Sequence, residues 1–107
     1  MTPEAKVKHE IKKVLDQLSP YVYYHMPVQG MSMGKPTLDF VGCCCGQFFA
    51  IEAKAPGKKP TPRQRLMIAE MTPAGAQVFI IDGNTSGLKK WLALLVTKEL
   101  SGKTSPP

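Results

Sequence analysis

The sequence predicts an α/β fold, a mixed sheet flanked by helices, and three observations point there. Residues 35–54 hold two β-prone runs separated by an X-Gly pair, Cys45-Gly46, and read as a hairpin with strands at 37–44 and 47–54. Apolar residues recur at helical spacing on both sides of that hairpin. A third short run, Ala76 to Ile81, is almost wholly apolar, as a strand covered by helices would be. The elements therefore come in the order α-β-β-β-α-β-α.

Thr2-Pro3-Glu4 supplies the N-cap and first turn of the opening helix. Val7, Ile11, Val14, Leu15 and Leu18 form its one apolar stripe. Ser19-Pro20 ends it. The next run, Tyr21 to Met26, is a strand by its β-propensity. Residues 27–36 read as a loop whose Gly30 and Gly34 allow a close backbone approach to a phosphate, or simply a flexible connection. After the hairpin, Thr61-Pro62-Arg63-Gln64 opens a second helix with a T-x-x-Q capping box and Pro at its first position. Leu66, Ile68, Ala69 and Met71 are expected to face inward. Pro73-Ala74-Gly75 stops that helix, and Asp82-Gly83 turns the chain out of the last strand. Asn84 or Thr85 caps a final helix with Leu88, Trp91, Leu92 and Leu95 inside; Leu94 and Val96 widen its arc toward either core or a dimer surface.

The length, 107 residues, suits one domain, placed at 1–100, with a polar, Pro-ended tail at 101–107 expected to be disordered. Lys and Arg number 14 against 8 Asp and Glu, a net charge of +6. Such a balance favours polyanionic partners, nucleic acid first, although a solvated basic surface has the same composition. No run approaches the roughly 18 apolar residues of a membrane span, and no signal-peptide pattern opens the chain, so a cytoplasmic protein is expected. The three cysteines, Cys43, Cys44 and Cys45, are consecutive. Neighbouring side chains on a strand point to opposite faces, so they neither build a disulfide framework nor converge on one zinc ion.

The hairpin carries the chemistry. If Cys45-Gly46 forms its loop, Leu38, Phe40 and Gly42 face Ala53, Ile51 and Phe49 on an apolar side. The other side pairs Thr37 with Lys54, Asp39 with Glu52, Val41 with Ala50 and Cys43 with Phe48. Two carboxylates then stand opposite each other at about 5 Å, with Lys54 two residues beyond Glu52 on the same face. Like charges so placed repel unless a cation lies between them. Two readings stand from this spacing. One is a Mg²⁺ site, since Mg²⁺ takes one or two carboxylates and completes its shell with water and phosphate oxygens. The other is a solvated face with an ordinary salt bridge. On the first helix Glu4 lies inside the buried stripe and Glu10 near its edge. Glu4 is thus the better candidate for a further acid reaching the site, unless it serves only the helix dipole. Lys58, Lys59, Arg63 and Arg65 cluster after the hairpin, where they would meet a DNA backbone or merely solvent.

Asp39, then twelve residues, then Glu52-Ala53-Lys54 resembles the D…(D/E)-x-K signature of the PD-(D/E)XK nuclease superfamily. Leu38 stands where the usual Pro precedes the Asp, with Pro36 three residues before it. A closer resemblance runs from Thr2 to about Gly83. It includes a Glu on the first helix, the strand ending in Asp39-Phe40, Gly46-Gln-Phe-Phe-Ala-Ile-Glu-Ala-Lys54, Thr61-Pro-Arg-Gln64, and Ala74-Gly-Ala-Gln-Val-Phe-Ile-Ile-Asp82. These motifs together resemble the virus-type replication-repair nuclease domain, VRR-NUC, in its short standalone phage form. The resemblance implies a restriction-endonuclease-like core and a metal-dependent DNA endonuclease in the host cytoplasm. Asp39, Glu52, the Ala53 carbonyl and Glu4 would bind Mg²⁺ or Mn²⁺. Lys54 would position and help deprotonate the attacking water, with Gln64 beside the site, and cleavage would leave a 5′-phosphate. Standalone members resemble Holliday-junction resolvases, which implies a homodimer acting on branched or four-way DNA. The alternatives are a flap or single-strand nuclease of the same fold, a DNA-binding or regulatory protein without catalysis, and a protein-interaction module using the apolar C-terminal helix.

Overall fold

The tight turn at Cys45-Gly46 sets the register of the hairpin at the centre of the sheet. Both residues are left-handed, at φ 50° and 85°, the two-residue turn that matches strand twist. The strands it joins are β2, Phe40–Cys44, and β3, Gln47–Ala53. They pair antiparallel, with Cys44 opposite Gln47 and Phe40 opposite Ile51. The computed structural model of the chain describes residues 1–28 and 36–103. Most of the predicted 27–36 loop and the end of the tail, 104–107, therefore lie outside the described residues.

The remaining elements are α1 (Pro3–Asp16), β1 (Val22–His25), α2 (Pro62–Met71), β4 (Gln77–Ile81) and α3 (Ser86–Lys103). The sheet order is β1-β2-β3-β4. β1 runs antiparallel to β2, and β4 runs parallel to β3, with α2 as the crossover between them. The predicted mixed sheet and element order are thus both present. β2 is shorter than the expected 37–44 strand. Ala53 gives its N–H to the side chain of Asp39, at 2.9 Å to Oδ2, so a carboxylate takes a donor that a longer ladder would have used. α3 continues through Lys103, past the point where the sequence suggested a tail.

One face of the sheet makes the core. Val7, Ile11, Val14 and Leu15 of α1 and Leu88 and Leu92 of α3 pack against Phe40, Cys44, Phe49, Ile51, Ala53 and Ile81. Trp91 closes one side through edge contacts with Phe49 and Phe79, ring centroids 6.1 and 5.6 Å apart. Val96 belongs to this core, whereas Leu94 is exposed. α1 begins as its sequence requires, with Thr2 accepting the Ala5 N–H at 3.1 Å and Pro3 in the first turn.

The other face is less covered. Glu52 alternates with the core residue Ile51, and Gln64 of α2 donates to it, so α2 starts on that opposite side. The expected inward stripe of α2 is not buried: no residue of α2 is, and Leu66 is 67% exposed. β4 is likewise less enclosed than its composition suggested. Among the described residues it is an edge strand, paired with β3 alone, and Ile80 stays exposed. The cysteines diverge as strand alternation requires, Cys43 exposed and Cys44 buried, and all three are free. Burial pushes the Cys44 thiol up to about 12, so it is an inert core side chain.

Gly42 lets β1 close onto β2. A Cβ there would strike the Tyr23 carbonyl oxygen and lie 2.7 Å from Tyr24 Cα. Gly42→Ala should therefore destabilise the fold by about 2 kcal/mol, since backbone cannot yield as a side-chain tip does. Urea unfolding of the variant measures it; an unchanged midpoint would contradict this packing.

Candidate active site

Three groups expected on one face do come together, at the end of the β2–β3 pair. Glu52 lies in β3, on the row facing away from the main core, and is only 4% exposed. Lys54 follows one residue beyond the strand, and its N–H continues the ladder by donating to Ile81 O at 2.9 Å. That bond fixes the backbone from which the Lys54 side chain reaches back. Its Nζ lies 3.4 Å from Glu52 Oε2. Asp39 stands just before β2, held by the Ala53 N–H between Glu52 and Lys54 in sequence.

Glu52 titrates above the ordinary carboxylate range. Burial is the main cause, because it disfavours the anion. The neighbouring Asp39 charge raises it further, while Lys54 pulls it back down. The two acids are therefore within electrostatic reach of each other.

Gln64 joins the site through the cap of α2. Its side-chain Oε1 accepts the Thr61 N–H at 2.9 Å, and its backbone N–H donates to Thr61 Oγ1 at 3.2 Å. The capping box thus occupies the amide oxygen and leaves the NH₂ group free to point elsewhere. It donates to Glu52 Oε2 at 2.7 Å. Ionised Glu52 can only accept, so the amide orientation satisfies both ends at once.

The helix α1 contributes differently from expectation. Glu4 is half-buried, and its partner is Lys8, at 3.6 Å. Lys8 in turn lies 3.6 Å from Asp39 Oδ1 and so links the two acids. Glu10 is exposed and pairs with Lys13 at 3.6 Å. Lys8 is not among the residues that the sequence singles out. The available signal was its place one helical turn after Glu4. Lys58, Lys59 and Arg63 are exposed beside the cap of α2, and Arg65 is exposed while donating to Pro60 O at 3.1 Å. His25 and Asp82 are exposed.

Among the described residues, no group of three or more His, Cys, Asp or Glu side chains gathers as a metal cage. Asp39 and Glu52 with the Ala53 carbonyl are nonetheless a donor set of the kind Mg²⁺ uses, hard oxygens with one or two carboxylates. Their chemistry fits such an ion: two acids in mutual repulsion, one of them desolvated. Among the described residues, no helix is long and apolar enough to cross a membrane. Compared with known proteins, the chain matches no family model and no curated protein.

The raised Glu52 pKa has a measurable sign. The folded state holds that proton more tightly than the unfolded chain, so this contribution is full below the unfolded value near 4.5 and is lost as pH climbs through the folded value. Glu52→Gln removes it while leaving an oxygen for Gln64. Urea unfolding from pH 4 upward should show stability falling more steeply in the wild type than in Glu52→Gln. Parallel curves would mean that Glu52 does not titrate differently on folding.

Proposed function

We propose that this chain is a divalent-metal-dependent DNA endonuclease, acting on branched DNA with four-way junctions preferred, and working as a homodimer. The observation that carries the reading is the meeting of Asp39, Glu52 and Lys54 at one end of the β2–β3 pair. Glu52 feels the Asp39 charge, and the Lys54 ammonium lies 3.4 Å from its carboxylate. The resemblance to VRR-NUC nucleases supports it, as does the net charge of +6. The junction preference and the dimer rest on that resemblance alone.

In this reading Asp39, Glu52 and the Ala53 carbonyl would hold Mg²⁺ or Mn²⁺, while Glu4 keeps Lys8 as its partner and is not a ligand. When bound, the ion supplies a more acidic water and positive charge for the phosphate. Lys54 orients the attacking water and offsets charge developing on the phosphate oxygens. Its burial keeps the ammonium in place rather than sweeping through solvent. Gln64 donates to the same Glu52 oxygen that Lys54 faces, so that acid keeps one orientation as its charge changes. Lys58, Lys59, Arg63 and Arg65 bind the DNA backbone near the N-terminus of α2, where helix geometry also favours phosphate.

Incubation with junction, flap, duplex and single-stranded DNA, each with Mg²⁺, Mn²⁺ or EDTA, tests this. Paired cuts in junctions that need a divalent ion are expected. Asp39→Ala and Lys54→Ala should lower cleavage by about a hundredfold or more while leaving DNA binding largely intact. Cutting of flaps or single strands alone would replace the substrate assignment. Salt-sensitive binding without cleavage on any substrate would make the protein a DNA binder and not an enzyme.

A further inference from the structure

We propose that Lys8 is the resident counter-ion of Asp39, and that a divalent cation entering the site displaces its ammonium from Asp39 onto Glu4. The proposal rests on the metal reading above and concerns what must leave before the ion can bind.

Both oxygens of Asp39 are engaged. Oδ2 accepts the Ala53 N–H at 2.9 Å, a bond to strand backbone that stays in place. Oδ1 faces the Lys8 ammonium at 3.6 Å. A divalent ion needs the free electron pairs on that second oxygen, and two cations crowded at one carboxylate oxygen repel strongly. One of them has to go.

Lys8 is built to yield. Its side chain is 33% exposed, on a flexible four-carbon stem. A second carboxylate, Glu4 Oε2, already lies 3.6 Å from the same ammonium, one helical turn back. Leaving Asp39 therefore strips Lys8 of one partner and not of both. Lys54 is the contrast. Its side chain is only 11% exposed, and its backbone is tied to β4. The two lysines near the acids thus differ in kind: one stays beside Glu52, and the other holds a cation position until an ion takes it.

Calorimetric titration with Mn²⁺ at fixed ionic strength tests the exchange in the full chain. Lys8→Met keeps the stem and removes the ammonium. Lys13→Met removes the same charge from the same helix, where Lys13 pairs with Glu10. Lys8→Met should bind Mn²⁺ about fivefold more tightly than wild type, and Lys13→Met within about twofold of it. Nuclear magnetic resonance of the lysine ammonium groups gives a second readout: on adding Mg²⁺ to wild type, the Lys8 signal should move and that of Lys13 should not. Equal Mn²⁺ affinity in all three proteins, with an unmoved Lys8 signal, would overturn the exchange and leave the metal site standing. No heat from any of the three, each folded by its thermal melt, would remove the metal site itself and the exchange with it.

Discussion

Burying the Glu52 carboxylate is the constraint to which the surrounding structure answers. An ionised acid taken from water needs charge and hydrogen bonds to replace its hydration. Lys54 provides the charge and Gln64 a donor, 3.4 and 2.7 Å from the same oxygen. Even so, burial and the Asp39 charge leave Glu52 above its usual titration range. A buried carboxylate that remains under-compensated gains more from a cation than a solvated one does.

The same constraint explains how α2 is held. α2 has no fully buried residue, and Met67, Ile68 and Met71 on its apolar side are only half-buried. It is held at its first turn, where the Thr61–Gln64 capping box and the Gln64–Glu52 hydrogen bond share one side chain. A helix cap is usually local accounting for unpaired N–H groups. Here it also fixes which end of the Gln64 amide meets Glu52, so the start of α2 and the state of the acid are mechanically linked.

On the other side of the site, α1 offers a chain of alternating charge, Glu4, Lys8 and Asp39. Four residues of spacing put the first pair within reach of each other on any helix. The second pair exists only because the apolar stripe of α1 packs on the same sheet that carries Asp39. A core contact thereby sets an electrostatic one, and on the proposed reading the affinity of the site for a divalent ion would depend on helix packing as well as on its ligands.

Much of this was legible in local pattern. The Cys45-Gly46 turn determined the hairpin register, and with it the facing of Asp39 toward the Glu52–Lys54 end, because side-chain period and turn length leave one solution. Thr2 and Thr61 marked their helix starts for equally local reasons. Other features were decided only when the chain closed. The Asp39 bond to Ala53 shortened β2, the edge position of β4 left Ile80 in solvent, and Leu66 stayed outside although its spacing pointed inward. Lys8 became the partner of Asp39, 31 residues away, with nothing in the intervening sequence to announce it. Periodicity reports which face of an element is apolar, whereas the partner that a face or a charge meets depends on how separate elements pack.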